Sequence, residues 1–393
     1  MSTTPTTPLA NPKVRTVTAF IQINTESYET QMMEAVGILR NAKTIFESKG
    51  YEVETLRVTT EPFGDYVNGM AEDEAMAFLK QIDDLAVQEG FIANIGPAMM
   101  HDSDDAAPMN LLKRALSTFA NIEASAIIAD ADGVQWKTIA LVADLVKYVS
   151  ENSPNGQGNF NFAVSAMQDP YSPFFPGSYF NDEGEHFAIG FECVNTVNDV
   201  LLSNKGNYSV ALADLSSALA QQLSIANGVS IKVQQETSWA GATYLTTASR
   251  GDVSIVSAIE VYTGEAFGSG GTLTALRLIA GAVQPLAEVN GSGLMLGVME
   301  DKLLAQRWAE GACDIDSLLA YSAIGVMGLD TIPLPGDVSL GQLKRILGDV
   351  AVLALKCNMP LSARLVPAPW KKAGEMTDFR VPYLFNTIVH ALS

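Results

Sequence analysis

Four stretches carry residue types that could do chemistry, and each follows an apolar run. "GLDTIPLPGDVS" (328–339) holds Asp330 and Asp337, carboxylates that could give or take a proton. Asp337 precedes "VSLGQLKRILGDVAVLAL", where it would cap a helix by accepting a backbone N–H, a contribution of roughly 1 kcal/mol. Capping accounts for Asp337 without chemistry; it leaves Asp330 and the rigid "PLPG" unexplained. "ARLVPAPWKKAGEMTDF" (363–379) places Arg364 on a strand and Lys371 and Lys372 after a Pro-Trp turn. In a chain of net charge −20 such a group suits an anion clamp, or else a solvated turn.

"FGSGGTLTALRLIAGAV" (267–283) is a glycine-rich turn opening a helix. The backbone N–H groups of Gly270, Gly271 and Thr272 could meet a phosphate or carboxylate there, or Thr272 could simply cap the helix. The turn matches neither G-x-x-x-x-G-K-[ST] nor G-x-G-x-x-G, which weakens a nucleotide reading. "QDPYSPFFPGSYF" (168–180) packs five aromatics and three prolines behind a strand. Phe174, Phe175 and Tyr179 could wall a ligand pocket, or the loop could plug one end of a barrel or pack on another subunit.

Other chemistries are excluded or weakly supported. Three histidines, His101, His186 and His390, form no H-E-x-x-H or H-x-H pair, so no zinc centre is expected. "MMHDSDDAAP" is rich in oxygen ligands but lacks EF-hand spacing and reads as a polar helix entry. No G-x-S-x-G elbow is present. Cys193, Cys313 and Cys357 are too few and too scattered for a disulfide framework, which points to a reducing compartment. The negative charge and the lack of a Lys/Arg stripe argue against nucleic acid; no apolar stretch approaches a membrane span. The expectation is a cytoplasmic protein that needs no cofactor or metal.

What must position these loops is a repeated β-α rhythm. "VRTVTAFIQI" alternates as a strand, "ETQMMEAVGILRNAKTIFESKG" is amphipathic at the helical period, and "YEVETLRVTT" is the next strand. Helices near 71–89, 107–119 and 134–150 alternate with strands near 91–96 and 124–130, followed by "FNFAVSAM" and "HFAIGFEC". The second half reads as helices near 208–226, 251–262, 271–284 and 338–356, with strands near 229–235, 322–334 and 361–366. Nine or ten strands among helices predict a largely parallel sheet, either an open doubly wound sheet or a barrel. Nothing divides the chain: residues 1–12 read as a Thr/Pro-rich tail and 13–393 as one α/β domain.

Taken in order, "GYEVETLRVTTEPF", "DPYSPFFPGSYF", "FGSGGT", "GLDTIPLPGD" and "RLVPAPWKKAGE" resemble the family catalogued as domain of unknown function 711, over residues 13–378. That resemblance implies a large α/β barrel of about ten strands, similar to pyruvate formate-lyase and the anaerobic ribonucleotide reductases, and a homodimer. It also implies that Asp330, Asp337, Arg364, Lys371, Lys372 and the 268–272 turn are the recurring polar positions. Relatives carry an Asp-Leu-Ser stretch where this chain reads "SIKVQQETS", which puts Gln235 at the Asp position beside Glu236. Their Cys-rich segment before "GLD" is replaced by "AYSAIGVM". Glycyl-radical chemistry needs a C-terminal glycine, and Arg380, Val381 and Tyr383 echo such a loop without it, so radical chemistry is not expected.

Two readings follow. In one, the protein is an enzyme or former enzyme acting on a small anionic metabolite: the helix start at Asp337, the lysine pair and the glycine-rich turn converge at one barrel end, with Asp330 or Asp337 as acid/base and Lys371 and Lys372 as anion binders. In the other, it is a non-catalytic ligand-binding or regulatory homodimer.

Overall fold

The alternation from residue 14 is a strand, β1 (Lys13–Phe20), in the computed structural model, which describes residues 13–392 except 174–175, 182–183, 238, 248–252 and 287–292. Val14, Val17 and Ala19 join the apolar core under the helices, while Thr16 and Thr18 face the other way and hydrogen-bond each other at 3.1 Å. The strands that follow are β2 (Leu56–Thr59), β3 (Ile92–Pro97), β4 (Ile122–Asp130), a short β5 (Gly133–Val134) and β6 (Phe162–Ala166). After them come β7 (His186–Glu192), β8 (Ala240–Thr246), β9 (Gly328–Pro335) and β10 (Leu361–Ala368).

Their order is β8-β7-β1-β2-β3-β4-β6-β10-β9, with β5 beside β4. β1, β2, β3, β4 and β6 run parallel to one another, and β7, β8, β9 and β10 run the opposite way. The two sets meet at antiparallel seams, β1 with β7 and β6 with β10. The remaining gap, between β8 and β9, is bridged by residues 293–297, which pair in parallel with Thr246, Val326 and Asp330. Gly293 N donates to Leu245 O at 3.2 Å and Met327 N to Leu294 O at 2.9 Å, so the sheet closes into a barrel. The expected parallel sheet is thus two parallel halves of opposite sense. Crossover helices join the parallel neighbours within each half, and the seams are what periodicity cannot show.

Outward side chains of the strands meet the helices in one apolar core. The inner face carries a polar cluster, Arg15, Thr16, Arg57, Glu123, Thr246, Asp330 and Arg364, on an internal cavity, and an apolar one, Phe20, Ala188 and Tyr244 with Phe180 of the inner loop. The loop after β6 fills the rest of the interior. Asn94 Nδ2 donates to the carbonyls of Pro176 and Ser178 at 3.1 and 3.0 Å, Ser165 Oγ to Gly177 O at 3.3 Å, and Arg57 Nη1 to Pro173 O at 3.3 Å. The loop thus lies within the barrel, and its Pro173 borders the cavity. Residues 371–392 lie over the end where β10 finishes, and Phe379 and Val389 pack there with Phe160, Met299 and Val366.

Two local expectations change. The strand near 229–235 is instead the last part of a helix, Tyr208–Thr237. Ala226, Val229 and Val233 are buried at helical spacing and Ile231 is 52% exposed, so the period is 3.6 rather than 2. Gln235 and Glu236 therefore stand on a helix, where Glu236 accepts from Asn41 Nδ2 at 2.8 Å. The helix Leu340–Cys357 is capped by Ser339 and not by Asp337, which is exposed on the preceding turn. Ser339 Oγ accepts from Gln342 N at 3.2 Å and Gln342 Oε1 accepts from Ser339 N at 3.0 Å, a reciprocal box that needs Gln at the third helical position. Ser339→Ala is expected to cost about 1 kcal/mol and Asp337→Ala less than about 0.5 kcal/mol in urea unfolding. Equal losses would return the cap to Asp337.

Among the described residues, no helix is long and apolar enough to cross a membrane.

Candidate functional site

Two irregularities of the sheet build the site. Opposite β7, Val14 pairs with Phe191 and Thr16 with Gly190, so Arg15 is an extra residue in β1. Opposite β10, Leu329 pairs with Ala363 and Ile332 with Leu365, so Asp330 and Thr331 together face the single residue Arg364. Each is a β-bulge, which bends the strand and re-aims a side chain. Thr331 takes a φ of 47°, a sterically costly value for a β-branched residue, and so holds the second bulge in strain.

The bulges deliver an ion network to the barrel interior. Arg364 donates to Asp330 Oδ1 through Nε at 2.8 Å and to Glu300 Oε1 through Nη2 at 2.7 Å. Glu300 turns its other oxygen to Arg15 Nη2 at 3.6 Å, and Arg15 Nη1 donates to Glu54 at 2.7 Å. Glu300 stands beside Asp301, whose carboxylate accepts from Leu303 N and Leu304 N and so starts the helix Lys302–Ala309. Gly297 lets this segment close in: a Cβ there would lie 3.0 Å from Glu300 Cβ and 3.3 Å from Asp330 Oδ2.

Burial dominates the acid–base chemistry. Loss of solvent raises the Asp330 pKa, Arg364 pulls it down, Glu300 pushes it up again, and the net direction is up. For Arg364 burial disfavours the cation, but Asp330 and Glu300 overcome it and its proton is held more tightly than usual. Glu192, near the same seam, is buried with Oε2 lacking a hydrogen-bond partner. Burial and the charge of Glu54 raise its pKa to about 8, against the pull of Arg15 and Lys13.

Arg15, Arg57, Arg364, Glu123, Glu300 and Asp330 thus surround one cavity of about 50 Å³, capped by Tyr383. That volume holds a water or two and not a metabolite. Glu54, Glu300 and Asp330 occupy the guanidinium forks of Arg15 and Arg364, so the arrangement can exchange a proton through a buried carboxyl and hold an anion where one of these carboxylates gives way to it. Among the described residues, no three His, Cys, Asp or Glu side chains are grouped as a metal site.

Of the residues singled out from sequence, Asp330 and Arg364 come together here. Lys371 instead pairs with Asp378 at 3.1 Å, and Lys372 is exposed. Asp337 sits on the surface turn, whose Gly336 is tied to Lys371 O at 2.8 Å. The 268–272 turn lies outside the cavity lining, against Ala312, whose carbonyl would be 2.0 Å from a Cβ on Gly268. Thr272 is not the cap: Gly271 occupies that position, and Thr272 Oγ1 accepts from Gly268 N at 3.0 Å within the turn. Tyr179 is buried at the base of the inner loop and donates to Gln168 O at 3.1 Å; burial and nearby Asp169 raise its pKa to about 12. Phe174 and Phe175 fall outside the described residues. Asp337, Lys371, Lys372 and the 268–272 turn thus do not line the cavity at which Asp330 and Arg364 meet. Arg15, Arg57 and Glu300, which motif and spacing do not single out, take their place.

Comparison with known proteins gives relatives of similar length. A UPF0210 protein of Leuconostoc mesenteroides is 24% identical over 370 residues, covering 90% of this chain and 82% of its own. A UPF0210 protein of Pyrobaculum aerophilum is 27% identical over 357 residues, covering 84% and 76%. Among solved structures, an anaerobic ribonucleotide reductase aligns with a TM-score of 0.48 at 8% identity, covering 95% of this chain and 76% of that one. The sequence profile described as "Uncharacterised ACR (DUF711)" matches residues 9–380, and the chain belongs to that family.

Proposed function

We propose that the protein binds a small anionic metabolite inside the barrel, at the cavity faced by Arg15, Arg57 and Arg364, with Asp330 as the acid/base group for its conversion. One observation carries this reading: three guanidinium groups are gathered on one internal cavity in a chain of net charge −20. Taking a cation out of water costs several kcal/mol, and well-packed apolar side chains would serve stability as well or better. Two bulges, one of them strained, bring Arg15 and Asp330, the partner of Arg364, into position, which is a cost that binding would offset. The raised pKa of Asp330 suits proton exchange with a bound acid. Because the cavity is small, room for a metabolite requires release of the hydrogen bonds that Arg57 and Asn94 donate to Pro173 and Pro176.

Calorimetric titration with inorganic phosphate and with malonate tests the proposal. Arg57→Met should weaken binding at least about tenfold, or roughly 1.4 kcal/mol, with Arg57→Lys intermediate. Lys371→Ala should leave affinity unchanged, since its surface pair with Asp378 is remote from the cavity lining. Loss of binding in Lys371→Ala and not in Arg57→Met would move the site to the surface turn.

A further inference from the structure

A second cleft, of about 720 Å³, opens between the loops that follow β2 and β3, at the carboxyl ends of these two parallel strands. Its volume is that of a small-molecule site, and open α/β folds place ligands at such strand ends. Met99 is buried and Met70 and Met100 are half-buried along it, with Val67, Pro108 and Leu111 adding apolar surface. Thioethers on flexible chains mould to apolar bodies of varied shape.

One histidine is held at the rim. His101 Nδ1 lies 2.9 Å from Asp130 Oδ2, and that carboxylate is itself fixed by Gln135 Nε2 at 3.0 Å and by Asp132 N at 2.9 Å. A carboxylate only accepts, so Nδ1 is the protonated nitrogen facing it, and whenever the ring is neutral Nε2 is an acceptor. The backbone is fixed as well, since Met100 N and His101 N both donate to Asp104 Oδ2 at 2.8 Å. His101 is therefore a pre-set acceptor on a lined cleft.

The charge of the lining selects the ligand. Among the described residues, no Lys or Arg lines the cleft, whereas Asp65, Glu72, Asp104 and Asp105 do. Glu72 is partly neutralised by Arg114 at 2.6 Å, and Lys137 Nζ is turned to the carbonyls of Asp102 and Asp104. Carboxylates alone would make an ordinary acidic surface. Together with a methionine-lined cleft and an oriented imidazole acceptor they match one chemistry, a positive head on an apolar tail. We propose that this cleft is a binding site for a small primary amine, its ammonium donating to His101 Nε2 and the rim carboxylates and its alkyl chain lying along the methionines.

With only three histidines in the chain, ¹H–¹³C spectra of the ring Cε1–H resonances read the site directly, and His101→Gln assigns its peak. Titration of the full chain with n-butylamine at pH 7.5 should shift the His101 resonance saturably and leave His186 and His390 in place. Butanol, lacking the charge, should bind about tenfold more weakly or worse, and acetate should give no shift. Ala107→Trp and, separately, Asn110→Trp fill the cleft from exposed helix positions, and either should abolish the butylamine shift. The proposal fails if butylamine gives no saturable shift, if butanol matches it, or if the shift survives in a folded Trp variant.

Discussion

Arg364→Ala should lower the free energy of unfolding by about 3–5 kcal/mol, because it strands buried carboxylates rather than merely deleting a contact. Asp330 and Glu300 both take short hydrogen bonds from this guanidinium, and both are almost wholly buried. Without it, Asp330 must take up a proton, and Glu300 keeps Arg15 at 3.6 Å as its charged neighbour. The double variant Arg364→Met with Asp330→Asn should recover about half of the loss, since one charge of each sign leaves together. Urea unfolding of the single and double variants gives the comparison. A loss below about 1 kcal/mol for Arg364→Ala would mean a solvated network, and the internal site would lose its basis.

Glu192→Gln should stabilise the protein, and by an amount that grows with pH. The folded-state pKa of about 8 stands above the ordinary 4.5. Below about pH 4.5 the carboxyl is protonated in both folded and unfolded chains, and the Gln variant should match the parent. Between 4.5 and 8 the unfolded chain releases the proton while the folded chain retains it, so the parent loses stability steadily as pH rises. Above 8 the folded chain carries a buried carboxylate whose Oε2 has no hydrogen-bond partner, and the deficit levels off at roughly 3–5 kcal/mol. Denaturation at pH 5, 7 and 9 should show the two curves diverging. A difference independent of pH would mean that Glu192 ionises as an exposed carboxyl does.

Some residues of the site are legible in the sequence alone, and the reasons are physical. Asp330 stands out because a capping role cannot absorb it, and Arg364 because a cation on a strand of an acidic chain needs a partner. The lysines stand out for charge alone, which says nothing about where a long side chain points; Lys371 turns to Asp378 on the surface. Arg15 leaves a fainter trace. In "VRTVTA" the core-facing residues fall at 14, 17 and 19, and in "GLDTIPL" at 329, 332 and 334, a step of three and then two in each. That broken alternation is the mark of a bulge, with Arg15 and Asp330 at the extra positions. Arg57 has no such mark, because an inward arginine and a solvent-facing arginine occupy the same phase of a strand.

By itself the sequence determined most of the strands and helices of a large α/β domain, the motifs of its family and a net charge of −20. These follow from periodicity, turn residues and charge, which act over a few residues or over the whole chain. Only the tertiary structure decided that the barrel has two opposed halves, that its inner face carries a charged cluster, and that the aromatic loop lies within it. It also decided that residues 15, 57, 300, 330 and 364 share one cavity. Those outcomes depend on which strands become neighbours, and contacts between residues hundreds of positions apart leave no local periodicity to read.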